Sequence, residues 1–131
     1  MILLDTNVII DLLNNEEDAR WNYLSQEDCV ICGIVISELY SGIRGKKEAK
    51  AIELFINSVD CLQIEQSDWL EIGSFICNLK KNGLAVPFQD SVLAYLSIKN
   101  KCKILTNDKH FSMMKIIEPR IEILWFCKSF I

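Results

Sequence analysis

Histidine is almost missing from this 131-residue chain, with His110 the single example. Acid–base chemistry that relies on a pair of histidines is therefore closed to it, and so is a zinc site that needs two. Proline and glycine are scarce, at two and five residues. With no Pro/Gly-rich linker, repeat or low-complexity stretch, residues 1–131 are expected to form a single domain. Long apolar runs are lacking as well: no segment reaches the ~18 consecutive apolar residues of a membrane helix. Asp5 and Asp11 interrupt the apolar N-terminus, and no basic region precedes it, so it does not read as a signal peptide. The expectation is a cytoplasmic protein without a membrane partner.

Cysteine, by contrast, occurs six times, and a cytoplasmic chain keeps such thiols reduced and mostly buried. Cys29 and Cys32 form a lone CxxC inside the apolar run "CVICGIVI", while Cys61, Cys77, Cys102 and Cys127 are scattered. Residues three apart on a strand point to opposite faces, so core packing is the expected role of the pair. Half of the residues are hydrophobic, and a mean hydropathy of +0.19 is high for a lone small domain, which points to a partner over some apolar surface. The net charge of −4 is uneven. Residues 1–28 hold seven acids and one base, and the remainder holds 13 bases and 11 acids. A protein that coats nucleic acid generically is disfavoured, yet acids gathered around bound cations would leave the rest of the surface more basic.

Short apolar stretches alternate with helical patterns. Strands are expected at Ile2 to Leu4, Cys29 to Ile31, Leu62 to Ile64, Lys103 to Leu105 and Ile121 to Leu124. Between them fall a helix through about Leu13 and a polar-faced one from Glu16 to Gln26. A third has Ile36, Leu39, Tyr40 and Ile43 inward, and Lys46 to Val59 a fourth with Ile52, Phe55, Ile56 and Val59 inward. Ser67 reads as the N-cap of a helix through about Lys81, which Gly83 stops. "LAVPFQDSVLAYLSI" starts near Pro87 and is apolar nearly all round, as a central, buried helix would be. This alternation implies an α/β fold, a mostly parallel sheet of about five strands between two helical layers. Ligands in such folds sit outside the carboxyl ends of the strands.

Two of those ends carry polar triplets, Asp5-Thr6-Asn7 and Thr106-Asn107-Asp108. Taken singly, each nearby carboxylate has an ordinary use. Asp5 and Asp108 suit caps or turns, and Glu38 and Asp90 suit the first turns of helices. Asp11, a turn further on, and His110 read as surface residues. Taken together at one sheet edge, Asp5, Glu38, Asp90 and Asp108 are less comfortable. Two carboxylates about 5 Å apart repel by roughly 3 kcal/mol at an effective dielectric near 20. Four in one pocket call for cations, and oxygen-only ligands with water access suit Mg²⁺ or Mn²⁺. Phosphoryl chemistry on an activated water is the natural work of such a site.

In this order, "LLDTNVIIDLL", "SELYSG", "FQDSVLAYLS" and "LTNDKHF" resemble the four acid-bearing motifs of PIN-domain ribonucleases, most of all the VapC-type toxins of toxin–antitoxin systems. The resemblance runs from Ile2 to about Trp125. It implies an α/β/α sandwich and a Mg²⁺- or Mn²⁺-dependent endoribonuclease leaving a 5′-phosphate and a 3′-hydroxyl. It also implies a homodimer and a small cognate VapB-like antitoxin. Asp5, Glu38 and Asp90 match the family's metal-binding acids, and Asp108 a fourth, less uniform one. Thr106 and Asn107 match the lead-in that supports it. Val35 departs from the Thr or Ser common there, which bears on local capping and not on the acids. Arg44, Lys46, Lys47 and Lys109 are candidates for binding RNA. The apolar end "ILWFCKSFI" reads as a last strand with core packing, or as a dimer or antitoxin surface. Other functions fit less well. A receiver-like phosphoacceptor domain wants an acid beside Asp5, and an aspartyl phosphatase wants a second Asp where Asn7 stands. A non-catalytic PIN-like module binding only RNA or protein would be favoured by a lost acid, and none is lost.

Overall fold

In the computed structural model, which describes residues 1–126, strands and helices alternate as β1 (Ile2–Leu4), α1 (Thr6–Leu13), α2 (Arg20–Leu24), β2 (Cys29–Cys32), α3 (Gly33–Ser41), α4 (Lys46–Ser58) and β3 (Asp60–Leu62). Then follow α5 (Gln66–Lys81), α6 (Phe88–Asn100), β4 (Lys103–Thr106), α7 (His110–Ile117) and β5 (Glu122–Trp125). All pairings are parallel, in the order β3-β2-β1-β4-β5. The chain builds outward from β1 to β3, then returns to β4 and β5 on the other side of β1. Because such crossovers are right-handed, α1–α4 and α5–α7 cover opposite faces of the sheet. Contacts of α1 with α3, α3 with α4, α5 with α6 and α6 with α7 fit this grouping. The result is a three-layer α/β/α sandwich.

Burial of both sheet faces explains why the central strands read as unbroken apolar runs. Leu3, Leu4, Ile31, Ile104 and Leu105 are all buried. Helix α6 is buried at every position from Asp90 to Ser97; Ser97 Oγ donates within the helix, to the Ala94 carbonyl at 2.7 Å, while Tyr95 Oη donates to Asp68 and Glu71 of α5. Gly83, at φ +82°, ends α5 in the left-handed region that a side chain rarely adopts.

Several local expectations are corrected. Residues 16–26 do not form one helix; only Arg20–Leu24 does. Asp18 instead turns its carboxylate onto the Arg20 backbone N–H and guanidinium, at 2.5–3.1 Å, which favours a turn there. Strands β3 and β5 are shifted from the expected spans to Asp60–Leu62 and Glu122–Trp125, where they pair with Val30–Cys32 and with β4. On α3 and just after it, Leu39 is buried and Ile36 and Ile43 pack against the core as expected, but Tyr40 is exposed and Val35 is buried in addition. The thiols are not mostly buried, since Cys61 and Cys77 are exposed; Cys127 and the tail of "ILWFCKSFI" lie outside the described residues.

Ser67 does not cap α5. The helix begins two residues earlier, after Glu65, whose backbone N–H donates to Asp68 Oδ2 at 2.8 Å. Asp68 is buried and also accepts from Lys99 Nζ at 2.7 and 2.9 Å and from Tyr95 Oη at 2.8 Å, so it ties α5 to α6. Lys99 above all, then the Glu65 N–H and Tyr95, hold its carboxyl down at about 2. A folded-state value below the unfolded one, about 3.9, contributes stability above pH ~4 that is lost as pH falls through about 2. Between those pH values, the thermal midpoint of the natural chain should therefore fall more steeply than that of Asp68→Asn. Circular-dichroism melts across this range check it, and equal slopes would contradict it.

Candidate metal centre

The chain reverses its direction of growth between β1 and β4, and in an open parallel sheet that switch point is where a crevice forms at the carboxyl ends. Asp5 directly follows β1, and Asp108 comes two residues after β4. Asp5 is buried and N-caps α1. Its Oδ1 accepts from the Thr6 backbone N–H at 2.8 Å, and its Oδ2 accepts from Thr106 Oγ1 at 2.7 Å. The same Thr106 hydroxyl accepts from the Asp108 backbone N–H at 2.9 Å. One buried hydroxyl thus uses its donor and an acceptor to couple the two loops. Thr6 does the same on the other flank, donating from Oγ1 to Glu38 Oε1 at 2.9 Å and so tethering α3 to the end of β1. The two polar triplets lie at neighbouring strand ends, the first as the cap and start of α1 and the second as the end of β4 and the loop after it, and Thr106 links them.

Asp90, in the first turn of α6, is buried. Its Oδ2 lies 2.8 Å from His110 Nδ1, and that nitrogen lies 3.0 Å from Asp108 Oδ1. Asp108 also accepts from the His110 backbone N–H at 2.9 Å, which folds the imidazole back over the carboxylates. Asp90, Asp108 and His110 offer ligand atoms that all lie within 4.8 Å of one another. Burial pushes the Asp5 carboxyl up, and the charges of Asp108 and Glu38 add to this against its hydrogen bonds. Asp90 is pushed up to about 6, by burial first and then, past the opposing His110 hydrogen bond, by Asp108 and Asp5. The hydrogen bond to Asp90 raises the His110 imidazole.

Two buried carboxylates, Asp5 and Asp90, near the charge of Asp108, fit a hard divalent cation, which would neutralise them. Sequence reasoning missed two participants. Thr6 hides in a motif whose Asp draws the eye. His110, read as a surface residue, is half-buried against two acids; its signal is the Asp108 side chain capping two residues on, at the start of α7. Asn107 is exposed, and Thr106 rather than Asn107 bonds to Asp108. Arg44, Lys46 and Lys47 lie exposed after α3 and at the start of α4, whereas exposed Lys109 adjoins Asp108 directly. Among the described residues none of these four forms an ion pair. A cavity of about 350 Å³ lined by Leu12, Trp21, Leu24 and Phe55 lies elsewhere, and none of the four acids lines it.

The family model for the PIN domain matches residues 2–117. The chain belongs to the PIN domain family. No curated protein sequence matches it, but solved structures share its fold. A DNA-bound VapBC from Salmonella typhimurium superposes at a TM-score of 0.83 with 21% identity, over 96% of this chain and 98% of that one. VapBC2 from Rickettsia felis, bound to a promoter DNA fragment, gives 0.81 with 19% identity over 97% and 100%. VapBC-1 from nontypeable Haemophilus influenzae gives 0.73 with 23% identity over 94% and 96%. The likeness establishes a PIN fold over nearly the whole chain.

Proposed function

We propose that this PIN domain is a metal-dependent endoribonuclease, the toxin of a toxin–antitoxin pair, acting in the cytoplasm. The observation that carries the reading is the cluster of Asp90, Asp108 and His110 at the switch point, with Asp5 coupled to Asp108 through the Thr106 hydroxyl and Glu38 tethered to Thr6. In mechanism, Asp5, Glu38, Asp90 and Asp108 would hold Mg²⁺ or Mn²⁺ through carboxylate oxygens, with Thr106 orienting Asp5 and Thr6 orienting Glu38. A cation held there would lower the pKa of an attacking water and offset charge at the scissile phosphate. Burial of Asp5 and Asp90 limits competing water and strengthens each interaction with the cation. Lys109 beside Asp108, and Arg44, Lys46 and Lys47, bind the RNA backbone. The VapBC complexes that share the fold support a VapB-like antitoxin as partner, and a homodimer completes the assembly.

The test is to incubate the purified chain, freed of any partner, with labelled structured and single-stranded RNAs in Mg²⁺ or Mn²⁺, with and without EDTA. Cutting that needs the cation and stops with EDTA is the expected result. If the chain binds Mn²⁺ yet cuts no RNA in the panel, including total cellular RNA, the domain is a binding module instead.

A further inference from the structure

Resting on that cation-binding reading, we propose that His110 is itself a ligand. Its Nδ1 joins one oxygen each from Asp90 and Asp108 in the shell of the divalent cation, and this nitrogen biases the site toward Mn²⁺ over Mg²⁺.

Three elements converge here: the first turn of α6, the loop after β4, and the first residue of α7. Nδ1 lies 2.8 Å from Asp90 Oδ2 and 3.0 Å from Asp108 Oδ1. Ligands at right angles in an octahedral shell, with bonds near 2.1 Å, are about 3.0 Å apart. The two separations are hydrogen-bond lengths in the metal-free chain and also match the spacing of neighbouring ligands in one shell, so the imidazole need not swing in from solvent. It is held in advance from both ends. Its backbone N–H is bound to Asp108, and Phe111, the next residue, is fully buried and anchors the start of α7. Asp90 is buried as well, so the nitrogen and at least one of the oxygens sit on rigid elements.

The chemistry distinguishes cations. Mg²⁺ takes oxygen ligands and keeps much of its water, whereas affinity for an imidazole nitrogen rises along the first-row transition metals. A shell made only of Asp5, Glu38, Asp90 and Asp108 would discriminate little between Mg²⁺ and Mn²⁺. A shell that includes Nδ1 prefers Mn²⁺. The competing arrangement is a histidine that pairs with the two acids and leaves them when a cation enters.

The experiment is to titrate Mn²⁺ into the metal-free chain, carrying no added histidine tag, and to record continuous-wave and pulsed electron paramagnetic resonance. Because His110 is the sole histidine, an imidazole ¹⁴N coupling to bound Mn²⁺ has one source, so the natural chain alone decides the point. The expected result is that coupling, its loss in His110→Ala, and a drop in Mn²⁺ affinity of at least the roughly ten- to hundredfold that loss of a mere outer partner costs. Mg²⁺ affinity, read by competition, should change several times less. Bound Mn²⁺ that needs Asp90 but shows no nitrogen coupling overturns the role of His110 and leaves the cation site standing. Failure of the natural chain to bind Mn²⁺, or binding unchanged in Asp90→Asn, overturns the cation reading itself.

Discussion

Asp5→Asn and Asp90→Asn should each lower metal-dependent RNA cleavage by on the order of a thousandfold, while leaving the metal-free chain as stable as before or slightly more so. The first half follows from the cation's contribution of several kcal/mol to the transition state, each ~1.4 kcal/mol being tenfold in rate. The second half separates a built site from a structural one. Asp5 is buried and raised by its own burial and by Asp108 and Glu38, so its charge opposes folding unless a cation is present. Asparagine keeps an acceptor for the Thr6 N–H and a group that can bond to Thr106, and it removes the repulsion. Asp90 carries the same conflict with Asp108 and Asp5, relieved in part by His110. Asp11→Asn is the control. Asp11 is exposed, bonded to Asn15 and 3.6 Å from Arg20, and the rate should stay within about twofold, as is usual for a surface change. Single-turnover cleavage and thermal melts in EDTA measure both halves. Normal cleavage in either variant would remove those acids from the chemistry. A large fall in melting temperature would assign them to the fold.

Thr106→Val should reduce cleavage by about ten- to a hundredfold, the range found when an outer partner of a metal ligand is lost. Valine matches the shape of threonine and removes only the hydroxyl. That hydroxyl is fully buried and serves both loops, donating to Asp5 Oδ2 and accepting from the Asp108 N–H. Its loss leaves Asp5 held, among the described residues, only through the Thr6 N–H and the Asp108 N–H without that partner, at a cost of about 1–3 kcal/mol in stability. Thr106→Ser restores the hydroxyl at the expense of a methyl group and should recover most of the rate. The serine variant distinguishes positioning from packing. If valine is as active as threonine, or serine as poor as valine, Thr106 does not position the acids.

Much of this was legible in the sequence because it depends on neighbours along the chain. Apolar triplets followed by polar ones located β1 and β4, and the continuous apolar character of Asp90 to Ser97 marked α6 as central, since such a stretch has no face to give to water. The positions at which Asp5, Glu38, Asp90 and Asp108 stand relative to strand ends and helix starts follow from the same local rules. Local rules failed where a distant partner intervened. The cap of α5 moved from Ser67 because Asp68 is held by Lys99 and Tyr95, about thirty residues away. Tyr40 turned outward because the start of α3, directly after β2, sets which face of that helix meets the sheet.

What the sequence by itself determined is the alternation of strands and helices and the placing of acids at their ends, because hydrophobic period and capping chemistry act over a few residues. Only the tertiary structure decided that these ends meet. The β3-β2-β1-β4-β5 order sets Asp5 beside Thr106, residues separated by most of the chain. It also decided where His110 lies, against Asp90 and Asp108, because α6 and α7 pack side by side. A hydrogen bond across 20 residues is a consequence of how layers stack on a sheet, and no local pattern encodes it.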